Sequence, residues 1–284
     1  MQKDVAELKL AVANNDIDGV KQLIELGADV NAKDESGRTP LCFAENVEIA
    51  ELLINHGADV NAKDKCNFKP LHLLKSAKVA ELLINKYELN INDKDNFFAS
   101  TPLHYAETVE FAELLINHGA DVNAKDGNDD TPLHFAKTAE IAELLINHGA
   151  DVNAKNIWGE TPLYMSSTKI MEVLIEHGAD VNAKDNCGQT PLFDRVMTVE
   201  KVEFLIKHGA DVNARDDAGQ TPLHCEDYAP IVEVLIKHGA DVNARDDAGQ
   251  TPLDCIREKI KNTKYDNMIK NYKEVEKILL DAIK

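Results

Sequence analysis

Eight copies of the tetrapeptide Thr-Pro-Leu-His, some varied by a residue, punctuate the chain at nearly even spacing. Their prolines are Pro40, Pro70, Pro102, Pro132, Pro162, Pro191, Pro222 and Pro252, at steps of 30, 32, 30, 30, 29, 31 and 30 residues. A second phrase, HGADVNAKD or a variant, falls midway between most of them. Self-similarity at such a period means one small supersecondary unit stacked on copies of itself. An end-to-end stack has no natural place to split, so the 284 residues are expected to form one array. Stacks of this kind offer surfaces more readily than reaction centres.

The segment from Asp126 to Lys155 shows what one unit does. Thr131 before Pro132 reads as a helix start, because threonine caps free backbone N–H groups and proline fits the first turn. A first helix is expected through Leu133, His134, Phe135 and Ala136. A second runs from Ala139 to Asn147, with Ile141, Ala142, Leu144, Leu145 and Ile146 on its apolar side. Gly149 ends it, since glycine takes the left-handed conformation without a steric penalty. Ala150 to Lys155 is expected to be extended and to lead into a polar turn. Neither short helix is stable alone in water, so neighbouring copies must cover the apolar sides. Phe43, Leu73, Tyr105, Phe135 and Met165 share one slot on the first helix and are expected in the core.

Composition narrows the function. Hydrophobic residues make up 44% and aromatics only 5%, so small aliphatics do the packing. A formal charge of -19 argues against nucleic acid and against anionic membranes as partners. It favours basic partners if electrostatic steering acts at all. MQKDVAELKL has no basic start followed by an apolar run, so no cleavable signal peptide is expected. Five cysteines lie in repeat positions without a CxxC pair, and Cys225 and Cys255 are a layer apart, too far for a disulfide. A reducing, cytoplasmic setting follows.

The motifs Thr101-Pro102-Leu103-His104-Tyr105-Ala106 and Thr131-Pro132-Leu133-His134-Phe135-Ala136 resemble the ankyrin repeat family. So do the Gly-Ala-Asp-Val-Asn runs that begin at Gly27, Gly57, Gly119, Gly149, Gly178, Gly209 and Gly239. The resemblance implies an all-α repeat solenoid of about nine stacked helix-turn-helix repeats with extended turn tips. Residues 1–36 would form an N-terminal cap repeat, 37–248 the internal repeats and 249–284 a C-terminal cap repeat. The first cap has a polar outer face at Lys3, Asp4, Glu7 and Lys9; the second closes with an amphipathic helix through Val275, Ile278 and Leu279. One departure is systematic: internal units lack about three residues between their helices, so the first helix is short and the link tight. The third repeat also carries an extra residue before Thr101, and the seventh reads Thr190 to Arg195 as TPLFDR. Lys207–Leu223 and Lys237–Leu253 are identical over 17 residues, which points to duplication.

Little in the sequence suggests chemistry. All ten histidines fall in two repeat slots. One slot precedes the helix-ending glycine and the other follows TPL, and ligands a layer apart do not converge on an ion. Glu51, Glu81, Glu113, Glu143, Glu172, Glu203 and Glu233 form a periodic row, expected as a solvated outer ridge. No phosphate loop, GxSxG elbow or HExxH is present. No catalytic residue, metal or cofactor is expected.

The expected function is a non-enzymatic protein–protein interaction scaffold. The family resemblance places partners on the concave, turn-tip surface, and variation concentrates at those tips. The candidates are Arg38, Lys65, Phe68, Lys69, Phe97, Phe98, Ile157 and Trp158, where aromatic or basic residues replace polar ones. The aromatic members either contact a partner or fill space left by the insertion near Phe97. The partner would be a protein or peptide, and capped ends favour a monomer. An intracellular regulator and a host-directed effector both fit. The alternatives are a regulatory arm of an enzyme, or a substrate role through the Asn of each DVN turn, a position the family resemblance marks for modification: Asn31, Asn61, Asn123, Asn153, Asn182, Asn213 and Asn243.

Overall fold

The computed structural model describes residues 2–87, 89–164, 166–194 and 197–284, with side chains from Ala6 onward. Met165 and Arg195, and the side chains of Lys3 and Asp4, lie outside this description. The chain forms two compact units, Met1–Asp151 and Val152–Lys284. Helices and turns are the regular structure among the described residues.

Most internal repeats have the same anatomy. A single turn follows the Thr-Pro step, as in Pro102–Tyr105 and Pro132–Phe135. Three linking residues lead to a nine-residue helix such as Val109–Asn117 or Ala139–Asn147. The first helix stops at Phe135, one residue short of the expected Ala136, whose backbone has already left the helical region at ψ 122°. The second helix is capped at its start by Thr108 or Thr138, whose hydroxyls accept the Phe111 and Ile141 N–H groups at 3.3 and 3.2 Å. At its end the Ala150 N–H reaches back to the Leu145 carbonyl at 3.0 Å, around Gly149 at φ 91°.

The DVN segment is a tight turn rather than the expected extended run. In Asp121–Ala124 the Ala124 N–H donates to the Asp121 carbonyl at 3.1 Å, and the Asp121 carboxylate accepts the Asn123 N–H. A short acidic side chain that bonds backbone two residues on favours a turn over a strand.

The core runs along each stack. The leucine of each TPL step is buried, from Leu41 and Leu103 to Leu163 and Leu223, as is one leucine in the second helix of each internal repeat, such as Leu53, Leu115, Leu174 and Leu235. Fully burying each stabilises by roughly 1.5–3 kcal/mol. Second helices present a stripe at i, i+1 and i+4, as in Ile141, Ala142 and Leu145. Polar bridges join successive layers. The Asn123 amide donates to the Gly149 carbonyl at 2.9 Å, and its oxygen accepts the Asp151 N–H at 2.9 Å. Asn31, Asn153, Asn182 and Asn213 donate in the same way to Gly57, Gly178, Gly209 and Gly239. In the irregular third repeat Asn92 takes this role, bonding Gly119 O at 3.0 Å.

The two ends differ from the interior. At the first, Gln2–Ala13 and Ile17–Glu25 form a full helix pair. At the last, Pro252–Asn262 and Asp266–Ala282 are long, with Ile256, Tyr272, Val275 and Leu279 buried between them and the preceding repeat.

Candidate functional site

The turn tips share one construction. Asp34, Asp64, Asp126, Asp185, Asp216 and Asp246 each accept two backbone N–H groups on Oδ1, from the residues two and four positions on. Asn156 does the same for Trp158 and Glu160. These side chains organise the backbone of their own tips.

The third repeat breaks the pattern. Its tip closes from the Asp95 N–H to the Ser100 carbonyl at 3.0 Å, five residues on, where other tips close over four. Ala99 takes the positive-φ place of the tip at 56°, as Asn67 and Asp129 do in theirs, and Phe97 and Phe98 stand outward, 65% and 47% exposed. Their rings meet edge to face at 4.4 Å. The bulge also brings the Phe98 carbonyl within 2.5 Å of the Gly127 N–H. A Cβ at Gly127 would sit 2.9 Å from that oxygen, so the following tip needs glycine there.

The other candidates divide by surroundings. Phe68 is half-buried, its ring edge-on to Tyr105 at 5.4 Å and to His72 at 5.8 Å, so it packs locally. Lys69 pairs with Asp93. Arg38 is tied to Asp34 at 3.3 Å and lies 4.9 Å over the Phe43 ring, while Lys9 covers that ring at 4.4 Å. Lys9 also bonds Asp34 at 2.6 Å. Desolvation opposes ionisation of Asp34, yet Lys9 and the Arg38 N–H hold its carboxyl below the usual range. Lys65 is exposed. In the C-terminal unit Ile157 and Trp158 are exposed at 49% and 50%, and their carbonyls accept the Asn186 amide and N–H.

The expected core slot is in fact a groove. Phe43, Leu73, Tyr105 and Phe135 are half-exposed, not buried. They end one-turn helices, and the chain turns away before a second turn can cover them. Met165, the fifth member, lies outside the described residues. In the N-terminal unit this row lines two hollows. One, of about 370 Å³, is walled by Leu73, Phe98, His104, Tyr105, Phe111 and Phe135, with Lys75, Glu107 and Lys137 at its rim. The other, of about 270 Å³, lies among Ala13, Arg38, Phe43, Glu45, Leu73 and Lys75. The Tyr105 hydroxyl is spent on Asp95 at 2.9 Å, and burial pushes its pKa up. In the C-terminal unit the slot holds Met165, Asp194, Cys225 and Cys255.

The histidines hold the repeats together. The Thr101 N–H donates to His104 Nδ1 at 3.1 Å, so that nitrogen is unprotonated and Nε2 carries the hydrogen. Nε2 then donates to the Asp130 carbonyl in the next repeat at 3.1 Å. His72 and His224 repeat the arrangement toward Asp93 and Gln250. Burial lowers the pKa of His72 and His104, which keeps both neutral. Thr101 Oγ1 also meets His104 Nδ1 at 2.9 Å, so the threonine and the histidine close the start of the turn as a reciprocal capping box. Where that residue is Tyr164 or Phe193, the buried hydroxyls of Thr161 and Thr190 have no partner. In the other slot, His56, His118, His148 and His208 place Nδ1 against the carbonyl four residues back at 2.8–2.9 Å. Among the described residues no group of three His, Cys, Asp or Glu could hold a metal ion. All five cysteines are free. Six of the seven periodic glutamates are exposed, and Glu143 is half-buried.

The ankyrin repeats family, described as three copies per match, matches residues 8–95, 73–156, 137–216, 164–246 and 195–260. The chain is an ankyrin repeat protein. Ankyrin repeats are in general protein–protein interaction modules. No curated protein matches this ankyrin repeat chain. None of its described helices is long and apolar enough to cross a membrane.

Proposed function

We propose that this ankyrin repeat protein is a non-enzymatic scaffold, holding a protein or peptide partner on its turn tips and the adjoining groove. The observation that carries the reading is the pairing of the outward Phe97 and Phe98 with the half-exposed row Leu73, Tyr105 and Phe135. Exposed aromatics beside an apolar hollow are costly unless something covers them, and interface hot spots favour such residues. The enzyme alternative is weaker, because the histidines and tip carboxylates are consumed by the protein's own backbone. The reading of 1–284 as one capped, monomeric, cytoplasmic array belongs to the same proposal, supported by family matches that run across residue 151.

The substrate alternative meets a specific obstacle. The amides of Asn31, Asn123, Asn153, Asn182 and Asn213 are bonded between layers, so modification would have to break a bridge. Capture from cell lysate with wild type and with Phe97→Ala/Phe98→Ala/Trp158→Ala tests the proposal. A partner held by wild type and lost by the variant, with an unchanged melting temperature, supports it. Identical capture by both would remove the tips from the proposal.

A further inference from the structure

The residues that link the two helices of each repeat add a charge pattern to the groove of the N-terminal unit. The second link position reads Glu45, Lys75, Glu107 and Lys137, one per repeat and all exposed. Lys75 and Glu107 answer each other at 3.1 Å. Glu45 and Lys137, at the two ends of the row, have no ion pair among the described residues. The row therefore presents a free negative charge at one end, a neutralised middle and a free positive charge at the other. Alongside it lie the two hollows, which adjoin at Leu73 and Lys75 and are floored by Phe43, Leu73, Tyr105 and Phe135. The C-terminal unit lacks the pattern: the same link positions hold Ser167 and Asp227, and Asp227 is paired with Lys259.

We infer that this groove takes an extended peptide segment whose two ends carry opposite charge. Its basic end lies beside Glu45 and its acidic end beside Lys137. A bulky apolar side chain fills the hollow between Tyr105 and Phe135, and a second apolar side chain sits toward Phe43 and Leu73. The inference rests on the scaffold reading and names the ligand chemistry for it.

Charge complementarity selects this occupant. A uniformly basic segment is drawn by the net charge of -19 but meets Lys137. A uniformly acidic one meets Glu45. Only a segment with opposite ends satisfies both free charges while its apolar middle covers the floor. The scale agrees: three layers at roughly 8–10 Å each separate the two ends. An extended segment of about eight residues, at about 3.3 Å per residue, spans them.

Panning a random 12-residue phage-displayed peptide library against the full-length protein tests the inference. Enriched sequences should share a bulky apolar residue with Lys or Arg on one side and Asp or Glu on the other. A synthetic peptide of the winning sequence should bind Phe135→Ala at least about tenfold more weakly. The exposed double variant Glu45→Lys/Lys137→Glu leaves the core untouched. It should reject that peptide and recover, by about tenfold, one with its charged ends exchanged. Winning peptides without charge polarity, or affinities unmoved by the double variant, would overturn the inference. If binding is lost only in Ile157→Ala/Trp158→Ala, the scaffold reading stands and the groove inference falls. If nothing enriches, the groove inference falls, and the scaffold reading is decided by partner capture.

Discussion

The N-terminal and C-terminal units use the same backbone grammar to opposite ends. Both close each tip on a single carboxylate or amide, and both bridge layers through the DVN asparagine. In the N-terminal unit the residue after the TPLH step is Phe43, Leu73, Tyr105 or Phe135, and it floors a groove. In the C-terminal unit that residue is Met165, which lies outside the described residues, or Asp194, Cys225 or Cys255, with Cys225 buried beside Phe193 and Ala214. One slot thus lines a groove in the N-terminal unit and, at Cys225, is buried packing in the C-terminal one. Fold and surface are set by different residues of one repeat, and they vary independently.

Breaking the layer joint should have the largest effect. His104→Ala leaves the Thr101 N–H and hydroxyl without their acceptor in a buried place and breaks the joint to the Asp130 carbonyl, and should cost about 3 kcal/mol. Chemical denaturation reads this; a loss below about 1 kcal/mol would mean that water replaces the imidazole. Next comes the floor. Leu73→Ala/Phe135→Ala should weaken partner binding by at least about 2 kcal/mol, whereas Cys255→Ala should leave it within about 0.5 kcal/mol. Titration calorimetry with a captured partner separates the two.

A pH prediction sharpens the contrast further. His72 and His104 are held below the ordinary value of 6.5 by burial. As pH falls through that value the unfolded chain binds protons that the folded one refuses. The stability these histidines contribute is therefore present at pH 7 and lost progressively as the pH drops below 6.5. Hydrogen exchange in the N-terminal unit should show faster opening at the lower pH, and His72→Gln/His104→Gln should flatten that dependence. The smallest effect is a pair of isosteric changes. Thr101→Val should cost about 1 kcal/mol, because its hydroxyl meets His104. Thr190→Val should be neutral or stabilising, because its buried hydroxyl has no partner to lose. Equal costs at both sites would deny the histidine any part in the difference.

Much of the fold could be read from the residues. The period, the helix Ala139–Asn147 and the glycine that ends it follow from capping and stripe patterns, and the structure has them at those positions. The groove was hidden for a physical reason. Phe43 and Tyr105 look like core because they are aromatic and recur at one slot, but a one-turn helix has no period to say which way its last side chain faces. Cover comes from the next layer, and the shortened link removes it. Phe68 shows the reverse: an aromatic on a tip that reads as surface is packed against Tyr105 and His72. Phe97 and Phe98 were recognisable as unusual, yet their exposure depends on the Asp95–Ser100 closure, which only the backbone reveals.

The joints between layers are of two kinds. Between the identical runs Lys207–Leu223 and Lys237–Leu253, several inter-layer bonds have one partner in each copy. Asn213 reaches Gly239 and Asp241, Gln220 reaches Asp246, and Ala218 receives Asp247. A segment that fits its own replica head to tail is an interchangeable part, and a repeat spliced in at that joint brings both halves of the fastening with it. The bulged tip is the opposite. Phe98 fits only a neighbour that offers Gly127, so this tip cannot be moved along the array without carrying the next tip with it.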